Sequence, residues 1–455
     1  MSPSFATQRP IAAIILAAGK GTRMKSSLHK VLHPVGGLPM LRGLVMEFGR
    51  LTLARTVIVV GAGAESVEAA LSSDGVDFAH QTQQLGTAHA ALMAKDSLAG
   101  FDGDVLVCFG DVPLLKAETI GRMQDRLHAG DAPASVVLGF RPADPKAYGR
   151  VVARGDGRID KMVEYKDASE AERAETLCNA GPLLARGPEL FDLLSRIGND
   201  NAQGEYYLPD VVTVADSDGR HSAVVEAPER EVVGVNDRID LAAAEALWQE
   251  DRREAMMRGG VTLRAPETVF FSYDTDIAPD VIVEPNVVFG PGVKVESGAV
   301  IRAHSHLEGA HVGPGCDVGP FARLRPGAVM KADSKVGNFV EMKKTTLGEG
   351  AKANHLSYLG DAAIGARANI GAGTITCNYD GFFKYRTVIG EGAFIGSNTS
   401  LVAPVAIGNG AIVGAGSVVT DDVSSDALGL TRSSQTEKSG WAKRFRDVQT
   451  KKKAG

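Results

Sequence analysis

Along the second half of the chain an apolar side chain returns every six residues: Ile277, Val283, Phe289, Val295, Ile301 and Leu307. After a step of five the series resumes at Val312, Val318, Leu324, Met330, Val336 and Met342. It continues through Leu347, Ala353, Leu359, Ile364 and Ile370, breaks, and returns at Ile389, Ile395, Leu401, Ile407 and Val413. An α-helix has no such period, and a lone strand alternates by two. Hexads suit a parallel β-helix, in which each hexad is one short strand plus a turn and three hexads close a triangular coil. The aliphatic side chain then points inward and stacks on its counterpart one coil away, while small residues and glycine allow the tight corners.

The break carries information of its own. "TCNYDGFFKYRTV", from Thr376 to Val388, is far too long for a corner. A tolerated surface insertion is one reading; a loop that completes a site, on this subunit or a neighbour, is the other. The flat faces of such coils favour side-by-side packing, so a homotrimer formed through the β-helix is expected.

Before residue 240 the texture is different. "IAAIILAAG", "TVIVVGAG", "DVLVCFGDVPLL" and "ASVVLGF" read as buried strands, each followed by helical or turn-rich sequence. That alternation predicts a mostly parallel sheet with helices on both faces. Residues 237–258, rich in Ala, Leu, Glu and Arg and free of Gly and Pro, predict a single helix joining two domains. A chain of 455 residues needs more than one core. The charge balance, 49 Lys and Arg against 55 Asp and Glu, gives no reason to expect nucleic acid. Cys108, Cys178, Cys316 and Cys377 lack CxxC spacing, which argues against a zinc site or a disulfide framework. "MSPSFATQRP" has no basic start or cleavage site, and no apolar run approaches the roughly 20 residues of a membrane span. A cytoplasmic protein without membrane insertion is expected.

The chemistry gathers in two places. "LAAGKGTRMKSSLHK" ends a strand in a glycine-rich basic loop. It is no P-loop, since Met24 stands five residues after Gly19, and no dinucleotide fingerprint, since the third glycine of GxGxxG is missing. Gly19 to Arg23 offer open backbone N–H groups, and Lys20, Arg23 and Lys30 add charge suited to a triphosphate and the pyrophosphate it releases. A structural loop with solvated cations is the plainer alternative. "QTQQLGTAHA" places amides where a base could be read. "VCFGDVPLL" ends a strand in Asp111, a metal ligand or a helix cap, and "VVGVNDRIDL" puts Asn236 after another. One carboxylate and one amide oxygen, with phosphate oxygens and water, suit Mg²⁺.

The second place surrounds "ANHLSYLGD" in the coil. Histidine titrates close to neutral pH and so can serve as a general base. Alone, His355 would read as a structural residue; Tyr358, Asn369, Asn378 and Tyr379 nearby favour a site. Arg325 and Lys343, one coil apart, suit a sugar phosphate, or are simply solvated.

In their order, "LAAGKGTRM…K", "QLGTAHA", "GDVPL", "YGRVV", "VEYKDA", "NAG", "NAQGEYYLPD" and "GVND" resemble the sugar-nucleotide pyrophosphorylases. "NAQGEYYL" followed by hexads is similar to one family of these. It is the bacterial bifunctional family that joins N-acetylglucosamine-1-phosphate uridylyltransferase to glucosamine-1-phosphate N-acetyltransferase. The resemblance spans both halves, leaving out about the first ten and last twenty residues. It implies an α/β Rossmann-like nucleotidyltransferase domain followed by a left-handed parallel β-helix of hexapeptide repeats. The implied domains are a uridylyltransferase at 1–236, a linker helix at 237–260, the acetyltransferase β-helix at 261–432 and a basic tail at 433–455.

The resemblance also implies roles. Leu16, Ala17, Ala18, Gly19 and Lys30 would hold UTP or its sugar product, with Phe109 and Gly110 beside them. Gln81, Gly86 and Thr87 would recognise uracil and ribose, and Gly149, Glu164 and Asn179 the sugar. Asp111 and Asn236 would hold Mg²⁺, while Arg23 and Lys30 neutralise charge as the sugar phosphate attacks the α-phosphorus of UTP. In the coil, Arg325, Lys343, Tyr358 and Asn369 would bind glucosamine 1-phosphate and His355 would act as base. Ala372, Asn378, Tyr379, Ser397, Ala415 and Arg432 would bind acetyl-CoA. The basic tail could reach the CoA phosphates, and its last residues are expected to fray. Cys316 and Cys377 receive no role.

Phe109 replaces a usual Tyr, His29 a usual Pro, and "NAGP" the usual "NTG"; none of these removes a charged group. Two rivals stay open at this point. One is a nucleotidyltransferase whose coil only oligomerises or regulates it, though such coils typically lack "NHLSYLGD" and "TCNYDG". The other is a non-catalytic binding protein, as in the translation-initiation exchange factors that share this architecture; it predicts erosion of Lys20, Arg23, Lys30 and Asp111, all of which are present.

Overall fold

The computed structural model describes residues 9–51, 53–145 and 147–454. The segment in which no leader was expected therefore lies, up to residue 8, outside the described residues. The chain divides into two units, Met1–Asp251 and Arg252–Gly455.

The first unit is built on strands β1 (Ile11–Leu16), β2 (Leu53–Val60), β3 (Asp77–His80), β4 (Asp104–Phe109), β5 (Ser135–Phe140), β6 (Arg150–Ala153), β7 (Arg158–Val163), β8 (Cys178–Arg186) and β9 (Ser222–Glu226). They form one sheet in the order β3-β2-β1-β4-β8-β5-β9-β7-β6. β1 shows why the strands read as continuous apolar runs: Ile11, Ala13 and Ile15 enter one core, and Ala12, Ile14 and Leu16 enter the other. Each fully buried Ile or Leu contributes about 2 kcal/mol by removal from water. Helices α1 (Met40–Phe48), α2 (Ala64–Leu71) and α4 (Ala117–Leu127) cover the first face. Helices α3 (Thr87–Leu92), α5 (Gly187–Ser195) and α6 (Val211–Ser217) cover the second.

The sheet is mostly parallel, as expected, but mixed: β8 and β7 run against its other seven strands. β3, β2, β1 and β4 run parallel, but β8 enters antiparallel between β4 and β5, and β6 and β7 form an antiparallel hairpin. Leu183, Leu184 and Ala185 of β8 are as buried as any parallel strand, so composition carries no mark of direction. Within the parallel half, Leu16 and Phe109 are register partners where β1 and β4 end. The loops after them open at the carboxyl edge, where open α/β sheets bind ligands.

Helix α7 spans Arg238–Arg258, and the division between the units falls within it. Its first half packs Leu241, Ala244, Leu247 and Trp248 on Met24, Val35, Met40 and Leu114, which ties it to the end of the glycine-rich loop.

The second unit is the expected left-handed parallel β-helix. Its strands line up as three parallel sheets. In one of them Val283, Ile301, Val318, Val336, Ala353, Ile370, Ile395 and Val413 stand in direct register, coil above coil. All the hexad residues named above, from Ile277 to Val413, are buried. One corner of the triangle recurs with a left-handed backbone at His304, Phe321, Phe339 and Leu356, unusual for such side chains. Each of these N–H groups donates to a carbonyl one coil away, at 3.0–3.1 Å. The rings of His304, Phe321 and Phe339 also stack, with centroids 4.8 and 5.2 Å apart.

The insertion folds as a short hairpin between strands Ile375–Cys377 and Thr387–Ile389. Tyr379 and Lys384 pair across it, and the Asp380 carboxylate accepts from the N–H groups of Phe382 and Phe383 at 2.7 Å. The last residues of the tail, expected to fray, instead continue helix α8 (Trp441–Ala454), which is exposed throughout. Trp441 and Phe445 stack along it at 5.2 Å, four residues apart as helix neighbours must be. Among the described residues no helix is long and apolar enough to cross a membrane.

Candidate active sites

In the first unit, Leu16, Ala17, Ala18, Gly19 and Lys30 line a cavity of about 260 Å³ with Gln81, Gly86, Thr87, Phe109 and Asp111. Gly110 stands behind it, its N–H on the carbonyl of Leu16 at 2.9 Å, and so joins the two strand-end loops. Gln81 is buried and donates its amide N–H to the Gly86 carbonyl at 3.0 Å, with His89 Nδ1 at the same distance. Its Oε1 is the end left to accept from a base. Gly86 has φ +118, and an added Cβ would collide with the Tyr206 carbonyl. Only glycine lets this loop lie so close to its neighbour.

A second cavity, of about 510 Å³, shares Thr87, Phe109 and Glu205 with the first and adds Glu164, Asn179 and Tyr207. Gly149 backs Glu164 and accepts the Asn179 N–H at 2.9 Å, so the three expected sugar residues stand together. Burial, and after it the charges of Asp210 and Asp167, push the Glu164 carboxyl above the ordinary range. A hydroxyl-rich ligand that donates to this group would favour its ionised form.

The expected metal ligands meet beneath the loop. The Val235 N–H donates to the Asp111 carbonyl at 2.8 Å, which brings Asn236 alongside; the Asn236 N–H is held by Asp240 at 2.9 Å. Both side-chain oxygens already face a cation. Lys30 Nζ forms an ion pair with Asp111 Oδ2, and Arg23 donates to Asn236 Oδ1 at 2.8 Å. Two hard oxygen donors that draw side-chain cations fit a small divalent ion, with phosphate and water completing its shell.

In the second unit one corner of the coil carries most of the expected residues. His355 ends a strand in register with Asn338, and its Nδ1 lies 2.9 Å from Asn338 Oδ1. An amide oxygen only accepts, so this contact favours the Nδ1–H tautomer of the neutral imidazole, in which Nε2 carries the lone pair. Ala372, Ser397 and Ala415 follow on successive coils at this corner. Asn398 donates to the Ala372 carbonyl at 2.7 Å, Gly416 to Ser397 at 2.8 Å, and Arg432 to Ala415 at 2.7 Å. This gives a narrow track of small residues running from His355 to Arg432.

Arg325 and Lys343 share the adjoining face with Tyr358, and Glu341 accepts from Arg325 at 2.7 Å. Lys384 of the insertion lies against Lys343; it first, and Arg325 next, hold that ammonium below its ordinary pKa. Asn378 donates to Asp361 at 2.5 Å, and Tyr379 is exposed on the hairpin. Asn369 does not join this face within one chain. It lies on another sheet, paired with Lys352 and Phe394.

Sequence reading passed over Asn338, Lys384 and Glu205. Asn338 precedes His355 by 17 residues, one coil, a spacing legible once the coil length is known. Lys384 stood inside the insertion already marked as anomalous. Glu205 stood in "NAQGEYYLPD" with nothing to single it out.

Comparison with known proteins adds two family models and a set of full-length relatives. A MobA-like NTP transferase domain matches residues 13–177, and a bacterial transferase hexapeptide (six repeats) matches residues 386–421. The relatives are named bifunctional protein GlmU. That of Sphingopyxis alaskensis is 61% identical over 445 residues, 98% of each chain. That of Rhizorhabdus wittichii is 62% identical over 448 residues, covering 98% of this chain and 99% of its own. That of Zymomonas mobilis is 54% identical over 446 residues, again 98% and 99%.

Proposed function

The chain belongs to the family of bifunctional GlmU proteins, and from that premise we infer two reactions carried out in sequence. It acetylates glucosamine 1-phosphate with acetyl-CoA. It then transfers UMP from UTP to the N-acetylglucosamine 1-phosphate formed, releasing pyrophosphate and giving UDP-N-acetylglucosamine, a precursor for peptidoglycan and lipopolysaccharide. The observation that carries this reading is the full-length identity to bifunctional relatives, set beside two separate clusters of suitable side chains. It sets aside both the scaffold coil and the non-catalytic binder.

We assign the uridylyl step to the cavities of the first unit. Gln81 Oε1 accepts the N3–H of uracil, which cytosine lacks. Glu164, Asn179 and Gly149 hold the sugar so that its phosphate oxygen lies in line with the α-phosphorus. As that oxygen attacks and pyrophosphate leaves, Lys30 and Arg23 meet the charge on the phosphates; no covalent enzyme intermediate is required. Asp111 and Asn236 would hold Mg²⁺, which would supply Lewis-acid polarisation of the phosphates.

The acetyl step belongs to the corner of the coil. The amine of glucosamine 1-phosphate attacks the thioester carbonyl, His355 Nε2 takes the ammonium proton, and the CoA thiol leaves. Arg325, Lys343 and Lys384 offset the phosphate charge, Tyr358 and Asn369 contact the sugar, and Asn378 and Tyr379 flank the acetyl-CoA. Its pantetheine arm follows Ala372, Ser397 and Ala415 toward Arg432. Asn369 lies on a different face from Arg325, which supports a homotrimer whose neighbouring coils complete the site. We place the enzyme in the cytoplasm, where UTP and acetyl-CoA are available.

The test is one reaction containing glucosamine 1-phosphate, acetyl-CoA, UTP and Mg²⁺, with free thiol and pyrophosphate followed separately. Thiol should appear first, and omitting acetyl-CoA should suppress pyrophosphate. Pyrophosphate from supplied N-acetylglucosamine 1-phosphate without any thiol release from the complete mixture would reduce the coil to a scaffold.

A further inference from the structure

Each proposed metal ligand of the first unit is paired with a proposed catalytic cation, Asp111 with Lys30 and Asn236 with Arg23. The first is a partly buried ion pair and the second an exposed hydrogen bond to a neutral amide, and together they occupy an oxygen of each proposed ligand at once. The Lys30–Asp111 pair is little screened, with side chains only 13% and 22% exposed. We propose that these pairs are a reserve state: in the ligand-free enzyme Lys30 and Arg23 occupy the oxygens that a divalent ion needs, and metal and triphosphate enter by partner exchange. This rests on the metal assignment made above.

The exchange balances charge without any bond to phosphorus being made or broken. Asp111 and Asn236 would turn from Lys30 and Arg23 to the metal, and the released ammonium and guanidinium would pass to phosphate oxygens. Metal arriving alone must strand two cations. Pyrophosphate arriving alone must strip them from Asp111 and Asn236. Arriving together, each ligand supplies the partner that the other has displaced, so binding is positively coupled, and reciprocally so. The device keeps the site from filling with free pyrophosphate or with metal alone.

The probes are Mn²⁺, followed by electron paramagnetic resonance, and inorganic pyrophosphate, followed by calorimetry, both on the full-length chain. In the absence of phosphate, Lys30→Met and Arg23→Met should each bind Mn²⁺ about fivefold or more tightly than wild type, the lower end of ordinary coupling. Lys20→Met is the control for simple loss of positive charge. Lys20 belongs to the same loop but lines a different cavity, with Gly61 and His80, so its removal should change Mn²⁺ affinity little. In the absence of metal, Asp111→Asn should bind pyrophosphate more tightly than wild type, because Lys30 is released. Unchanged Mn²⁺ affinity in the Lys30 and Arg23 variants, or an equal gain in the Lys20 variant, overturns the exchange. Failure of the metal assignment looks different: Asp111→Asn would then bind Mn²⁺ as wild type does.

Discussion

At the scale of single residues, the account rests on which proton sits where. In the proposed acetyl step the Asn338 amide oxygen holds the His355 proton on Nδ1, so that Nε2 serves as the base. Asn338→Ala should lower kcat for thiol release roughly tenfold, less than the hundredfold or more expected on losing the base itself, because the imidazole stays and only its orientation is loosened. Asn338→Asp should instead move the acid limb of the kcat/KM profile to higher pH, because a carboxylate stabilises the imidazolium. An unmoved limb would show that the contact does not orient the ring. Glu164 allows a test in which function and stability move in opposite directions. Its carboxyl is pushed up chiefly by burial, so the fold favours its protonated form. That contribution to stability is complete below the ordinary carboxylate range and is lost as pH rises through the raised value. Glu164→Gln should therefore melt above wild type at neutral pH, with the gap closing toward about pH 4. Its KM for N-acetylglucosamine 1-phosphate should rise by roughly tenfold or more, the loss of a charge-assisted hydrogen bond. A variant that melts lower at neutral pH would contradict the assigned strain.

At the scale of elements, the hexads were legible because a six-residue period has one structural meaning, and every inward residue from Ile277 to Val413 is buried as that period requires. The direction of β8 was not legible. Leu183 and Leu184 are buried in an antiparallel strand just as Leu106 and Val107 are in a parallel one. The helix of the tail was missed because Lys and Arg dominate it, masking the four-residue spacing of Trp441 and Phe445. The coil also contains a close approach that holds the site in register. Gly337 precedes Asn338, and a Cβ there would strike the backbone carbonyl of Asn354 on the next coil. Gly337→Ala should cost about 1–3 kcal/mol, the usual toll of overpacking, and disturb the pairing of Asn338 with His355. Thiol release should fall, while pyrophosphate release from supplied N-acetylglucosamine 1-phosphate should not. Differential scanning calorimetry and the two assays would decide it; loss of both activities would mean the damage is not confined to the coil.

At the scale of the whole molecule, the sequence separated two chemistries onto two architectures. The glycine-rich loop, Asp111 and Asn236 meet at one sheet edge, and His355, Ala372, Ser397 and Ala415 meet at one coil corner. What sequence could not supply was the partnering of side chains distant along the chain, such as Arg23 with Asn236 and Arg325 with Glu341. Nor could it reveal that Asn369 faces away from Arg325 in a single coil. Sedimentation equilibrium should find three chains per particle, and a monomer with full acetyltransferase activity would refute the shared site. The central claim, two separate active sites on one chain, is tested most directly by a crossed experiment on the full-length protein. His355→Ala and Asp111→Asn would each be assayed for thiol release from glucosamine 1-phosphate with acetyl-CoA. Each would also be assayed for pyrophosphate release from N-acetylglucosamine 1-phosphate with UTP. The account predicts that His355→Ala loses about a hundredfold or more of the first activity and keeps the second, while Asp111→Asn shows the reverse. If His355→Ala released thiol at the wild-type rate, or if either substitution removed both activities, the two-site account would be contradicted.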